Sequence, residues 1–136
     1  MTVQLDADLP EVQVSSVVPA STTTVLETIL TTTGPFPLVS GQILHVSAEV
    51  LGIDANGGAI YVRGMEAVIL GGSPPTKLTY NSSPPYVLAE SDTSNGYSGG
   101  GFNINGSGDL ELGWNNVSSE AQSVSVRIKQ RLVLVS

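Results

Sequence analysis

Between residues 42 and 53 the chain reads QILHVSAEVLGI, with apolar and polar residues alternating almost one for one. Leu44, Val46, Ala48 and Val50 fall on one side of an extended chain, and His45, Ser47 and Glu49 fall on the other. Successive side chains of a strand point to opposite faces, so this period of two specifies a half-buried strand. Such a strand needs neighbours along its edges and a second layer over its dry face. The stretch SVSVRIKQRLVLV (123–135) repeats the pattern. Val124, Val126, Ile128, Leu132 and Leu134 are predicted to face the core, and Arg127, Lys129 and Arg131 to face out.

A third run, AIYVRGMEAVIL (59–70), follows DANGG (54–58) and completes a predicted hairpin, because Asn-Gly-Gly supplies the positive φ of a tight turn. Continued alternation places Tyr61, Arg63, Met65, Ala67 and Ile69 on one face. Ile60, Val62, Glu66 and Val68 take the other. Apolar residues on both faces predict core on one side and a subunit interface at Ile60, Val62 and Val68 on the other.

Shorter strands are predicted at 11–18, 22–33, 76–80 and 86–90, with a second hairpin from 101–105 to 109–114 across Gly106-Ser107-Gly108. Leu110, Leu112 and Trp114 share its apolar face. Pro35 and Pro37 stop the strand at 22–33, since neither can donate a ladder hydrogen bond. Only 12% of residues are charged, which disfavours long helices. The expected fold is all-β, an antiparallel β-sandwich with a jelly-roll topology of eight to nine strands over residues 21–136. Residues 1–20, with Pro10 and Pro19, are expected to form an extended N-terminal arm.

Charge narrows the partners. The net charge is −7 with five Lys and Arg residues, too few to displace counterions from nucleic acid or to hold an anionic membrane. No signal-peptide pattern opens the chain and no run reaches membrane-spanning length. The expected site of synthesis is a cytosol. Without cysteine, neither a disulfide nor a zinc-thiolate site is available.

Candidate chemistry is sparse. A Ser-His-Asp triad would have to use His45, which sits mid-strand on the polar face. Asp109 with Glu111, and Glu90 with Asp92, are carboxylate pairs two residues apart, a spacing ordinarily left to solvent on an outer strand face. Asp54 with Asn56, and Asp92 with Asn95, offer oxygen donors but no recognisable calcium spacing, and turn capping explains them. Trp114, Tyr80, Tyr86 and Tyr97 could stack on sugar rings. Trp114 is in phase with the core, so Tyr97, inside SDTSNGYSGGG (91–101), is the candidate for exposed contact. Asn81, Asn105 and Asn116 match the glycosylation pattern by chance in turn-rich sequence. The expectation is therefore no catalytic residue, no cofactor and no metal.

The order of STTTVLETILTTT, ILHVSAEVLGIDANGG, AIYVRGMEAVIL, NINGSGDLELGW and VSVRIKQRLVLV resembles a small β-sandwich module of tailed-bacteriophage virion proteins. The resemblance covers roughly residues 21–135. It implies a non-catalytic structural part: a capsid decoration or cement protein on the head surface, forming a homotrimer and contacting the major capsid protein or another virion protein. The alternative it implies is a tail-fibre, spike or other receptor- or carbohydrate-binding module.

Overall fold

The two alternating runs lie side by side, residues 42–54 pairing antiparallel with residues 122–134 without a break. This computed structural model describes residues 5–30, 38–78, 87–90 and 99–134. They form nine strands: β1 (Leu5–Val18), β2 (Thr22–Leu30), β3 (Gln42–Asp54), β4 (Ala59–Leu70), β5 (Thr76–Lys77), β6 (Val87–Glu90), β7 (Gly99–Ile104), β8 (Leu110–Asn116) and β9 (Gln122–Leu134). A six-stranded sheet has the order β1-β9-β3-β4-β5, with β6 also paired to β4; a three-stranded sheet has the order β2-β8-β7. Every pairing is antiparallel.

The fold is thus the all-β antiparallel sandwich that the alternation predicts. The chain passes from the large sheet to the small one between β1 and β2, and returns between β8 and β9. The pairs β1·β9 and β2·β8 therefore wrap together, as in the outer turn of a jelly roll, while the β3–β4 hairpin stays in one sheet.

The core lies between the sheets. The large sheet contributes Leu44, Val46, Val50, Ile69, Val126 and Ile128, and the small sheet covers them with Phe102, Leu110, Leu112 and Trp114. Each such side chain contributes about 1.5–3 kcal/mol when fully buried. Two hairpin corners share one design. Asp54 Oδ1 accepts from the backbone N–H of Asn56 and Gly58 at 2.9 and 2.8 Å. Asn105 Oδ1 accepts from those of Ser107 and Asp109 at 2.9 and 3.0 Å. The fourth residue of each turn, Gly57 or Gly108, has φ of 82° or 84°, the left-handed conformation that glycine adopts without a Cβ penalty.

Two expectations change. Residues 5–18, inside the stretch expected as an extended N-terminal arm, lie in the large sheet: β1 runs along β9 from Leu5↔Leu134 to Val18↔Gln122. A bulge at Pro10 and Glu11, between Leu9↔Gln130 and Val12↔Ile128, lets the proline sit in an edge strand. The second change is in β4. Its register with β3 slips between Met65↔Ala48 and Val62↔Val50, so Arg63 and Gly64 together oppose Glu49. Gly64 has φ of 85°, and this extra residue inverts the facing of everything before it. Ile60 and Val62 consequently join Met65, Ala67 and Ile69 in the core, with Val62 at 0% exposure. They form no outer interface. Val68 remains half-buried on the outer face.

Candidate interaction surface

Three of the four residues expected at an interface can now be placed: Ile60 and Val62 inside, Val68 outside. Tyr97 lies outside the described residues, as do Tyr80, Tyr86, Asn81, Asp92, Asn95 and the GPFP break.

The other candidates resolve into structural roles. Asp54 is spent on its turn. Trp114 is fully buried, and its Nε1 donates to Gln122 Oε1 at 3.1 Å. Asn116, a nominal glycosylation site, is also fully buried. Its Nδ2 donates to the carbonyls of Val18, Pro19 and Glu120 at 3.2, 3.1 and 3.0 Å, and its Oδ1 accepts from Ser118 N–H at 2.9 Å. One side chain thus ties together the two places where the chain changes sheet. Nothing in the turn-like string NNVSSEAQ separates Asn116 from its exposed neighbour Asn115; only the extended apolar phase of Leu110, Leu112 and Trp114 points to it.

His45 Nε2 meets Glu66 Oε2 at 3.0 Å, across β3 and β4, and both side chains are substantially exposed. The pair stands on an open sheet face rather than in a cleft. Glu111 lies beside Gly101, Asn103 and Gly113 in a shallow trough on the small sheet. Among the described residues, no group of three or more His, Asp or Glu is placed to hold a metal ion.

What remains is the outer face of the large sheet, built by β1, β9, β3 and β4. Its middle is a charged row. Arg127 Nε meets Glu11 Oε1 at 2.9 Å, and Arg127 Nη1 lies 3.7 Å from Glu49 Oε1. Tyr61 Oη donates to Glu49 Oε2 at 3.1 Å. Partial desolvation, then this hydrogen bond, push the Tyr61 hydroxyl above its usual 10.0. Exposed ion pairs of this kind contribute at most about 1 kcal/mol each, so the row matters more for what it presents than for stability.

One end of the same face is apolar. Val17, Leu51 and Ile53 are 67%, 54% and 53% exposed. They flank an open furrow of about 550 Å³ floored by Ser123 and Ser125. In QILHVSAEVLGI, Leu51 and Ile53 have the same phase as His45 and Glu49, so alternation alone puts these two large residues outside.

No protein-family model, curated protein or solved structure matches the chain.

Proposed function

We propose that the protein is a non-catalytic structural component of a phage virion, a decoration or cement protein that docks on the head surface through its acidic side. The observation that carries this reading is that every Lys and Arg lies on a strand of the large sheet, while the strands of the small sheet carry acids alone. Of the five basic residues, Arg63 lies on β4 and Arg127, Lys129 and Arg131 on β9, all exposed. The strands of the small sheet hold Glu27 and Glu111 and no Lys or Arg. The remaining base, Lys77, donates Nζ to the Phe102 carbonyl at 3.1 Å. An acidic side opposite a mixed one orients the molecule on a basic surface and speeds its encounter with it. The resemblance of residues 21–135 to virion modules supplies the identity of that surface.

The test is quantitative mass spectrometry of particles purified from the phage that encodes the chain. Stoichiometric copies are expected, with occupancy falling in high salt and in the double variant Glu27→Lys/Glu111→Lys. Particles that carry no copy would sink the reading.

A further inference from the structure

Among the described residues, the edges of the two sheets are blunted everywhere but along one stretch. In the small sheet, β2 is broken by register shifts between Val25 and Glu27 and between Thr28 and Leu30. On its other side β7 opens on three glycines, which offer a neighbour no side chain to pack against. In the large sheet, the edge beyond β4 is divided between the short strands β5 and β6. The opposite edge is β1. Its first half carries Asp6, Asp8 and Glu11, with Pro10 at the bulge. Its second half, residues 12–18, reads VQVSSVV, with no charge, no proline and no bulge. Short strands, charges, prolines and bulges are what keep an edge from pairing with another chain, and residues 12–18 have none of them.

The hydrogen-bonding phase of the large sheet decides what this edge presents. The Asp54 N–H donates to the Gly58 carbonyl at 2.9 Å, and the Gly71 N–H donates to the Gln42 carbonyl at 2.9 Å. The even-numbered residues of β3 therefore direct their backbone groups at β4, and the odd-numbered ones direct theirs at β9. Because β3 and β9 pair without a break, the odd-numbered residues of β9 answer β3 and the even-numbered ones turn to β1. Val12, Val14, Ser16 and Val18 are the register partners of Ile128, Val126, Val124 and Gln122. These four hold the bonds to β9. Gln13, Ser15 and Val17 send their N–H and C=O groups outward, to the open edge.

We propose that this edge pairs with itself: β1 of a second copy adds antiparallel across a two-fold axis at Ser15, joining two large sheets into one. Ser15 then faces Ser15, Gln13 faces Val17, Val14 faces Ser16 and Val12 faces Val18. The outward groups of Gln13, Ser15 and Val17 all find partners, about six hydrogen bonds in all. No charge opposes another along this ladder. Val12 and Val14, only partly buried at the rim of the core, gain Val18 and Ser16 of the second copy as neighbours. The ladder ends at Pro19, which has no N–H and would stand opposite the bulge at Glu11. Among the described residues a second copy offers no other straight edge of this length, so the occupant is β1 itself and the assembly closes as an isologous dimer. Seven residues give about 24 Å of ladder, a narrow strip beside an obligate interface, so the dimer is reversible. The ladder uses neither Glu27 nor Glu111, so it does not rest on the docking reading above, and either can fail alone.

Sedimentation equilibrium of the purified full chain, at concentrations up to about 1 mM, tests it. A concentration-dependent monomer–dimer equilibrium is expected. Ser15→Pro removes an outward N–H and leaves the bonds to β9 in place, and should weaken the dimer about tenfold or more. Ser15→Lys sets two ammonium groups against each other at the axis, and Ser15→Glu sets two carboxylates. Each variant alone should dimerise less than wild type, while an equimolar mixture of the two should pair again, which also shows that both are folded. The chain has no cysteine, which permits a second readout. Residues directly opposite in a hydrogen-bonded pair lie about 5.5 Å apart at Cα, within the span of a disulfide. Ser15→Cys should therefore oxidise to a covalent dimer, and Ser125→Cys, its neighbour on β9, should not. A wild-type chain that stays monomeric, a dimer indifferent to Ser15→Pro, a Lys and Glu mixture that pairs no better than its components, or equal cross-linking at Ser15 and Ser125 would each overturn the proposal.

Discussion

The side-chain amide of Asn116 donates to the Val18 carbonyl at 3.2 Å, joining residues 98 positions apart in sequence. With its bonds to Pro19 and Glu120, it satisfies carbonyls at both sheet crossings, that of Val18 in a buried bond. Removing the donor leaves the buried acceptor without water or partner, which costs more than the bond itself contributes. Asn116→Ala is expected to lose about 3 kcal/mol in urea unfolding. Asn116→Asp should be no better, since it replaces the donor with a buried charge. A loss below about 0.5 kcal/mol would mean the crossing holds without this tie.

Gly100 and Gly101 are neighbours on one strand with opposite surroundings. A Cβ on Gly100 would stand 2.1 Å from the Gly113 carbonyl oxygen, whereas one on Gly101 meets nothing within 4 Å. Gly100→Ala should therefore force β7 and β8 apart and cost about 2 kcal/mol or more, while Gly101→Ala stays within about 0.5 kcal/mol of wild type. Thermal unfolding of the two variants under one condition checks the contrast.

The DANGG corner separates a turn from a metal loop. Asp54→Ala removes two hydrogen bonds to backbone N–H and should lower stability by about 1–2 kcal/mol, as should Asn105→Ala at the matching corner. Added calcium should leave the unfolding midpoint of wild type and both variants where it was. A calcium-dependent rise in wild type that Asp54→Ala abolishes would show a bound ion there.

The Tyr61 hydroxyl titrates above its usual 10.0, from partial desolvation and its bond to Glu49. Its folded pKa exceeds its unfolded one, so the stability it confers is complete below pH 10 and is lost as pH rises through the folded value. In an alkaline absorbance titration of the four tyrosines, the component shifted upward should disappear in Tyr61→Phe and move back down in Glu49→Gln. An unchanged upward-shifted component in Tyr61→Phe would assign it to another tyrosine.

β3 and β9 were legible because each alternates with a period of two, and burial follows it from Leu44 to Ile53 and from Val124 to Lys129. In β4 the same rule misplaced Ile60 and Val62. One bulged residue resets the phase, and a run of apolar residues on both sides of it hides the reset. Gly64, an isolated glycine inside a strand pattern, is the local sign of it. The charged row was only half legible: the outward bases of β9 follow from alternation. Their meeting with Glu11 depends on β1 lying beside β9, a pairing between the two ends of the sequence that no local pattern encodes. The core position of Asn116 is hidden for a similar reason, since its partners are two distant carbonyls.

The place of β9 between β1 and β3 also bears on how the chain is made. β9, which joins β1 to the rest of the large sheet, is the last of the nine to leave the ribosome. Until it emerges, β1 and β3 have no common neighbour, and the inner faces of both lie open. Sheets that depend on such distant pairings close slowly, and unpaired edges exposed meanwhile invite association with other chains. The large sheet therefore closes only once β9 is available to pair. Ribosome-stalled chains that stop short of residue 122 should stay protease-sensitive along their whole length, however many of the earlier strands have already been synthesised.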